Sequence, residues 1–143
     1  MGISKASAQW DGTLKAGKGV MKPAHGSDVS FTAGTRFEGQ QGSNPEEMLG
    51  AALAGCFSMA LSAGLEKAGA TPKSVQTSAN VTLEKKEVGF TVTAIELISQ
   101  VEAAGIDATK FQSVAEATKK GCPVSRALAS VENITLKATL VGA

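Results

Sequence analysis

Cys56 sits in the middle of an uncharged stretch from Met48 to Leu65, and Cys122 lies between Gly121 and Pro123. A thiolate attacks peroxides and disulfides, whereas a thiol in apolar surroundings stays protonated and packs as a small hydrophobe. Read singly, Cys56 fits inert packing and Cys122 fits an ordinary interhelical turn. Cys122 also falls at or beside a helix N-cap, where unpaired backbone N–H groups and the helix dipole favour a thiolate. Two thiols on two helical segments can form a reversible disulfide if their Cα atoms come within about 7 Å. Other chemistries find less support. His25, the only histidine, lies in a Gly/Ser loop, so a Ser-His-Asp or Cys-His arrangement would rest on one mobile imidazole. Two cysteines this far apart cannot supply a four-ligand structural zinc site within one chain. Gly12-Thr13-Leu14-Lys15-Ala16-Gly17-Lys18 spells most of a phosphate-binding loop, but Gly19 stands where Ser or Thr would hold magnesium, and strand residues follow where a helix is required. It reads as a Gly-rich hairpin.

The elements that must position the thiols can be read around them. Ser43 or Asn44 can cap a helix, Pro45 suits its first position, Glu46 and Glu47 bring negative charge to its first turn, and Gly69 marks its end. The Met48–Leu65 run approaches the length of a membrane span. Its Ala, Gly and Ser content and the charges of Glu46, Glu47, Glu66 and Lys67 at its ends favour a buried helix instead. Val75, Thr77, Ala79, Val81 and Leu83 alternate as one face of a strand, Lys85 to Gly89 turns, and Phe90 to Val101 returns. Asp107 begins a helix that carries Phe111, Val114, Ala115 and Thr118 inward and ends at Gly121, and Pro123 opens a short third helix. Ile134, Leu136, Ala138 and Leu140 make a last strand. Lys5 to Trp10 and Thr13 to Val20 read as a hairpin, and His25 to Gly34 as a loop. Strands and helices are segregated, so the expected class is α+β, with antiparallel sheets packed on a long central helix in a single domain, 1–143.

Composition removes several function classes. With 43% hydrophobic residues, 143 positions can fill one core. Fourteen basic against thirteen acidic side chains give a net charge of +1, too weak a field to gather phosphate backbones or anionic lipid. The absence of tyrosine, with one Trp and five Phe, also argues against stacking on nucleic acid. Two cysteines exclude a disulfide-rich scaffold, and Met1 to Trp10 has no apolar signal-peptide core. The expected location is therefore the cytoplasm, with neither nucleic acid nor membrane as partner.

Gly34-Thr35-Arg36-Phe37-Glu38-Gly39, Ser43-Asn44-Pro45-Glu46-Glu47, Ala54-Gly55-Cys56-Phe57-Ser58-Met59-Ala60 and Gly121-Cys122-Pro123-Val124-Ser125 follow one another in an order that resembles the OsmC/Ohr family of thiol peroxidases. The likeness runs nearly end to end, and the arginine before Phe37-Glu38-Gly39 favours the OsmC (osmotically inducible protein C) branch. The resemblance implies an intertwined homodimer that reduces organic hydroperoxides, with no cofactor beyond an external dithiol reductant. It also implies that Cys56 is the peroxidatic and Cys122 the resolving cysteine, with Arg36 and Glu46 the polar pair that activates the first thiol. Without it, Glu46 reads as a carboxylate at a helix N-terminus and Arg36 as a surface strand residue.

Physical chemistry is consistent with those roles. A permanently charged guanidinium can hold a thiolate, and a carboxylate can orient the guanidinium through paired hydrogen bonds. Glu46 and Cys56 are ten residues apart, about 15 Å on a straight helix, beyond the reach of a Glu side chain. Two copies of the helix crossing near Ala51 would bring Glu46 of one beside Cys56 of the other, and Gly50, Ala51, Ala52, Ala54 and Gly55 are small enough to permit the crossing. Phe57 and Met59 near Cys56 suggest a pocket that favours alkyl or lipid-derived hydroperoxides over hydrogen peroxide, or else belong to the core, since side-chain direction on this helix is not fixed by the sequence. The rival readings are a non-enzymatic dimeric binding or structural protein with inert cysteines, and a thiol-dependent hydrolase or acyl carrier that would depend on His25.

Overall fold

The protein, seen as a computed structural model, is described over residues 2–142; Met1 and Ala143, the ends of the expected 1–143 domain, lie outside them. Two compact units make up the chain, Met1–Met48 and Leu49–Ala143.

In the first unit, β1 (Ala6–Asp11), β2 (Lys18–Pro23) and β3 (Val29–Phe31) form an antiparallel sheet in chain order. The expected hairpin is present, but its second strand starts at Lys18. Thr13 to Gly17 are spent on the turn, closed by Gly17 N–H donating to the Thr13 carbonyl at 2.8 Å. Trp10, Gly19 and Phe31 face one another across the three strands. The two rings close over Gly19 with centroids 5.5 Å apart, and a Cβ at that position would lie 2.6 Å from Phe31 Cε1 and 2.7 Å from Trp10 Cε3. The segment read as a loop, His25 to Gly34, instead contains β3 and the start of a short helix, α1 (Ala33–Phe37). The signal overlooked was Thr32-x-x-Thr35, a reciprocal cap in which each hydroxyl accepts the other residue's N–H, at 3.1 and 2.9 Å. Arg36 consequently sits on a helix, not on a strand.

The unit also contains the first turn of α2 (Pro45–Lys67). Asn44 is the residue that caps this helix: its Oδ1 accepts Glu47 N–H at 2.8 Å.

The second unit holds the rest of α2 with β4 (Thr71–Lys86), β5 (Gly89–Ala104), α3 (Ala108–Gly121), α4 (Pro123–Ala127) and β6 (Asn133–Gly142). The sheet order is β4-β5-β6. β4 and β5 form a long antiparallel hairpin, as their alternation predicts. β6 departs from the expected antiparallel pattern and runs parallel to β5. The reason is the connection: α3 and α4 lie between the two strands and return the chain to the end where β5 began. The α+β class stands, with a mixed second sheet.

Leu53, Phe57, Leu61 and Leu65 recur every four residues on α2 and are fully buried. They form one cluster with Ile95, Leu97, Val101 and Ala103, the inward row of β5, and with Phe111 and Ala115 of α3. Each large side chain so buried contributes about 1.5–3 kcal/mol. By length and composition α2 could cross a membrane, but this row makes it a core helix of the unit. It is not buried all round, because Ala51, Ala52, Gly55, Met59 and Ala63 are exposed. Ser99 interrupts the apolar row of β5. Its hydroxyl is paired with Thr77 Oγ1 at 3.0 Å, which in turn accepts from Ser58 Oγ at 2.8 Å, so the buried polar group is satisfied.

Candidate active site

Cys122 occupies the single residue that ends α3 and begins α4. Its backbone N–H donates to the Thr118 carbonyl at 2.9 Å, and its Sγ accepts Ser125 N–H at 3.4 Å as the N-cap of α4. Pro123, which has no N–H, fills the first position of α4, where none is required. The side chain is 2% exposed. Cys56, partly buried on α2, packs against the same core, and both cysteines are free thiols.

Cys122 lies near enough to Cys56 to act on its ionisation. Burial pushes the Cys56 thiol above its ordinary value of 9.0; the Val124 N–H, directed at its sulfur, pulls it down, and the Cys122 sulfur pushes it up by hydrogen bond and by charge. These are the influences on Cys56 among the described residues, and none of them is a cation. On these influences alone Cys56 is a protonated, poorly nucleophilic thiol.

Arg36 and Glu46 form a second pair, inside the first unit. Glu46 is 7% exposed. Arg36 Nε donates to both of its carboxylate oxygens at 3.0 and 3.2 Å, and Nη2 donates to Oε1 at 2.6 Å. The guanidinium also lies over the Phe37 ring, 5.1 Å from its centroid. Asn44 Nδ2 ties the α2 cap to the Thr35 carbonyl at 3.3 Å, which fixes where the two side chains meet. Nη1 has no partner among the described residues and is free to donate to a ligand. Beside Arg36 opens a cavity of about 400 Å³ lined by Trp10, Leu14, Phe31, Thr32 and Phe37.

The four residues singled out in the sequence are thus built as two pairs, Cys56 with Cys122 and Arg36 with Glu46, each internal to one unit. Phe57 is not a pocket wall but a fully buried core residue, whereas Met59 is 74% exposed. His25 is exposed. Sequence reasoning missed the two amides that serve the sulfurs, Val124 and Ser125, although Cys-Pro-x-x at a helix start could have indicated them. It also missed the aromatic cavity, whose signal is the pairing of Trp10 and Phe31 around Gly19.

A profile of the family described as OsmC-like protein matches residues 38–137, a span that includes both cysteines and Glu46. The chain belongs to this family. It is 48% identical over 126 residues to the protein named Peroxiredoxin OsmC in Escherichia coli strain K12, covering 87% of this chain and 88% of that one. Among solved structures, it resembles the organic hydroperoxide resistance protein OhrB of Bacillus subtilis at 25% identity and a TM-score of 0.69, covering 94% of this chain and 98% of the other. An OsmC-like protein of Vibrio cholerae, 18% identical, shares the fold with a TM-score of 0.73 over 97% of this chain and 100% of its own. The OsmC-like fold expected from the four motifs is therefore the fold of this chain.

Proposed function

We propose that this member of the OsmC-like family is a thiol peroxidase that reduces organic hydroperoxides to alcohols, with residues 1–143 working as one functional domain. The observation that carries the reading is that Cys56 and Cys122 meet at one core, near enough for Cys122 to act on the Cys56 thiol, in a chain 48% identical to a named peroxiredoxin. The organic substrate follows the hydroperoxide resistance protein of B. subtilis. The Cys56 thiolate attacks the terminal peroxide oxygen: an S–O bond forms, the O–O bond breaks, the sulfur gives up two electrons, and the alkoxide leaves as an alcohol once protonated. Cys122 then attacks the sulfenic acid, forming an S–S bond and releasing water. An external dithiol reopens the disulfide, so the cycle draws on no bound cofactor.

Activation needs a positive charge, because burial and Cys122 keep Cys56 protonated. Arg36 is assigned that role. Its bidentate hold on Glu46 fixes the guanidinium, and Nη1 is left to meet sulfur or peroxide oxygen. The site is proposed to be shared within a homodimer in which two α2 helices cross near Ala51. Exposure of Ala51, Ala52 and Gly55 leaves small residues at such a crossing, whereas Gly50 and Ala54 are buried within their own chain. A reducing compartment, the cytoplasm, suits free thiols that must be reset.

The test combines intact mass with sedimentation. One equivalent of cumene hydroperoxide should remove both titratable thiols per dimer-associated chain, Cys56→Ser should abolish turnover, and Cys122→Ser should permit one oxidation and then stall or overoxidise. Sustained turnover by Cys56→Ser, or an active monomer at assay concentration, would reject the assigned roles or the shared site respectively.

A further inference from the structure

Ser125 is 6% exposed, and its hydroxyl is buried without a hydrogen-bond partner. Buried hydroxyls in native proteins are nearly always bonded, so this one calls for a reason. It is the third residue of α4, counted from its N-cap Cys122. A side chain at that position points back toward the cap, because Cα–Cβ bonds tilt toward a helix N-terminus. In a reciprocal cap it would bond the N-cap backbone N–H, as Thr35 does for Thr32 in α1. That route is closed here, since the Cys122 N–H is held by the Thr118 carbonyl at 2.9 Å. Half of the cap forms, Ser125 N–H to Cys122 Sγ at 3.4 Å, and the hydroxyl of the same residue is left without a partner.

A neutral thiol is a weak acceptor and gives a hydroxyl little to bind. The peroxidase cycle changes that. To attack the Cys56 sulfenic acid, Cys122 must lose its proton, which places a full negative charge on a side chain only 2% exposed. Water is excluded from such a site, and a buried charge needs donors.

We propose that the Ser125 hydroxyl is the donor that stabilises the Cys122 thiolate as it attacks the oxidised Cys56, which makes Ser125 a residue of the resolving step. In that step the Cys122 electron pair forms the S–S bond, the S–O bond of the sulfenic acid breaks, and the departing hydroxide takes up a proton to leave as water. The bond is absent from the resting dithiol because the charge that attracts it is absent. The inference rests on the peroxidase reading, and its test separates the two.

Reduced wild type, Ser125→Ala and Ser125→Thr are each given one equivalent of cumene hydroperoxide. Sulfenic acid is trapped with dimedone and disulfide closure is followed by intact mass. All three proteins should form sulfenic acid at the same rate. Ser125→Ala should close the disulfide about tenfold more slowly, the factor expected for loss of one hydrogen bond to a charged group, and Ser125→Thr should restore the rate. The excess lifetime should appear as Cys56 sulfinic acid when peroxide is in excess. The urea midpoint of reduced Ser125→Ala should equal or exceed that of wild type, since no bond is lost in the resting state. Wild-type closure by Ser125→Ala, or equal slowing in both variants, would overturn the inference while leaving the peroxidase reading intact. Failure of wild type to form any sulfenic acid would overturn the peroxidase reading itself and this step with it.

Discussion

If Arg36 supplies the charge that ionises Cys56, deleting it should change the pH dependence of peroxide attack and not only its rate. Arg36→Gln alone would strand the Glu46 carboxylate in a site 7% exposed, so the informative protein is the double variant Arg36→Gln/Glu46→Gln, which removes both charges together. Burial and the Cys122 sulfur then act on Cys56 unopposed except by the Val124 N–H, and its thiol titrates above 9.0. A thiol with that affinity for its proton is less than about 1% ionised at pH 7, whereas a cation-stabilised thiolate, titrating near or below about 7, is at least half ionised. The rate constant for loss of the Cys56 thiol at pH 7 should therefore fall by about 50-fold or more. The sign follows from the same shift: below its raised pKa the thiol holds its proton, so the variant's rate should climb about tenfold per pH unit from pH 7 to about 9. Wild type should level off at or below neutrality. Stopped-flow oxidation by cumene hydroperoxide across that range, with circular dichroism to confirm folding, measures both curves. A double variant with the wild-type rate and a flat profile would show that the guanidinium does not activate the thiol.

Two further outcomes follow from packing. Leu61→Ala removes a fully buried side chain between α2 and the inward face of β5 and should lower stability by about 2–5 kcal/mol in urea titrations, without altering how the remaining folded protein reacts with peroxide. Gly19→Val forces a branched side chain against Phe31 and Trp10, where even a Cβ would approach to 2.6 Å. It should cost about 1–3 kcal/mol through overpacking and displace the indole, read out as a shift in Trp10 fluorescence; an unchanged spectrum and midpoint would refute the close approach.

Much of the fold was legible because its signals are local. Asp107 caps α3 as its position before the apolar periodicity indicated, Pro123 opens α4, and the alternation of β4 predicts its pairing with β5. What the sequence concealed is set by tertiary pairing. Nothing in Ile134 to Leu140 distinguishes a strand parallel to β5 from an antiparallel one, since both need the same alternating face. β3 has only three residues, too few for a period to show, and α1 has five, held by a Thr-Thr cap that lacks the Glu or Gln usually sought there.

The site followed the same rule. Cys56, Cys122, Arg36 and Glu46 could be picked out by motif, and the carboxylate–guanidinium fork by chemistry. That Cys56 and Cys122 meet at one core depends on α3 ending where it does on the flank of α2. The unbonded hydroxyl of Ser125 depends on which acceptor captured one amide. Neither could be read from residue order.

The turn from Cys122 to Ser125 sends consecutive amides to different sulfurs, Val124 to Cys56 and Ser125 to Cys122. A sulfur engaged in a disulfide is a poorer acceptor than a thiolate, so closure of the proposed disulfide would slacken the anchor of α4 at Val124 once Cys56 is ionised, while Ser125 N–H exchanges one weak acceptor for another. The oxidation state is thereby transcribed into the backbone. Deuterium uptake at the Val124 amide should report it without any label on the thiols, and the start of this five-residue helix would gauge how far the proposed catalyst has been consumed.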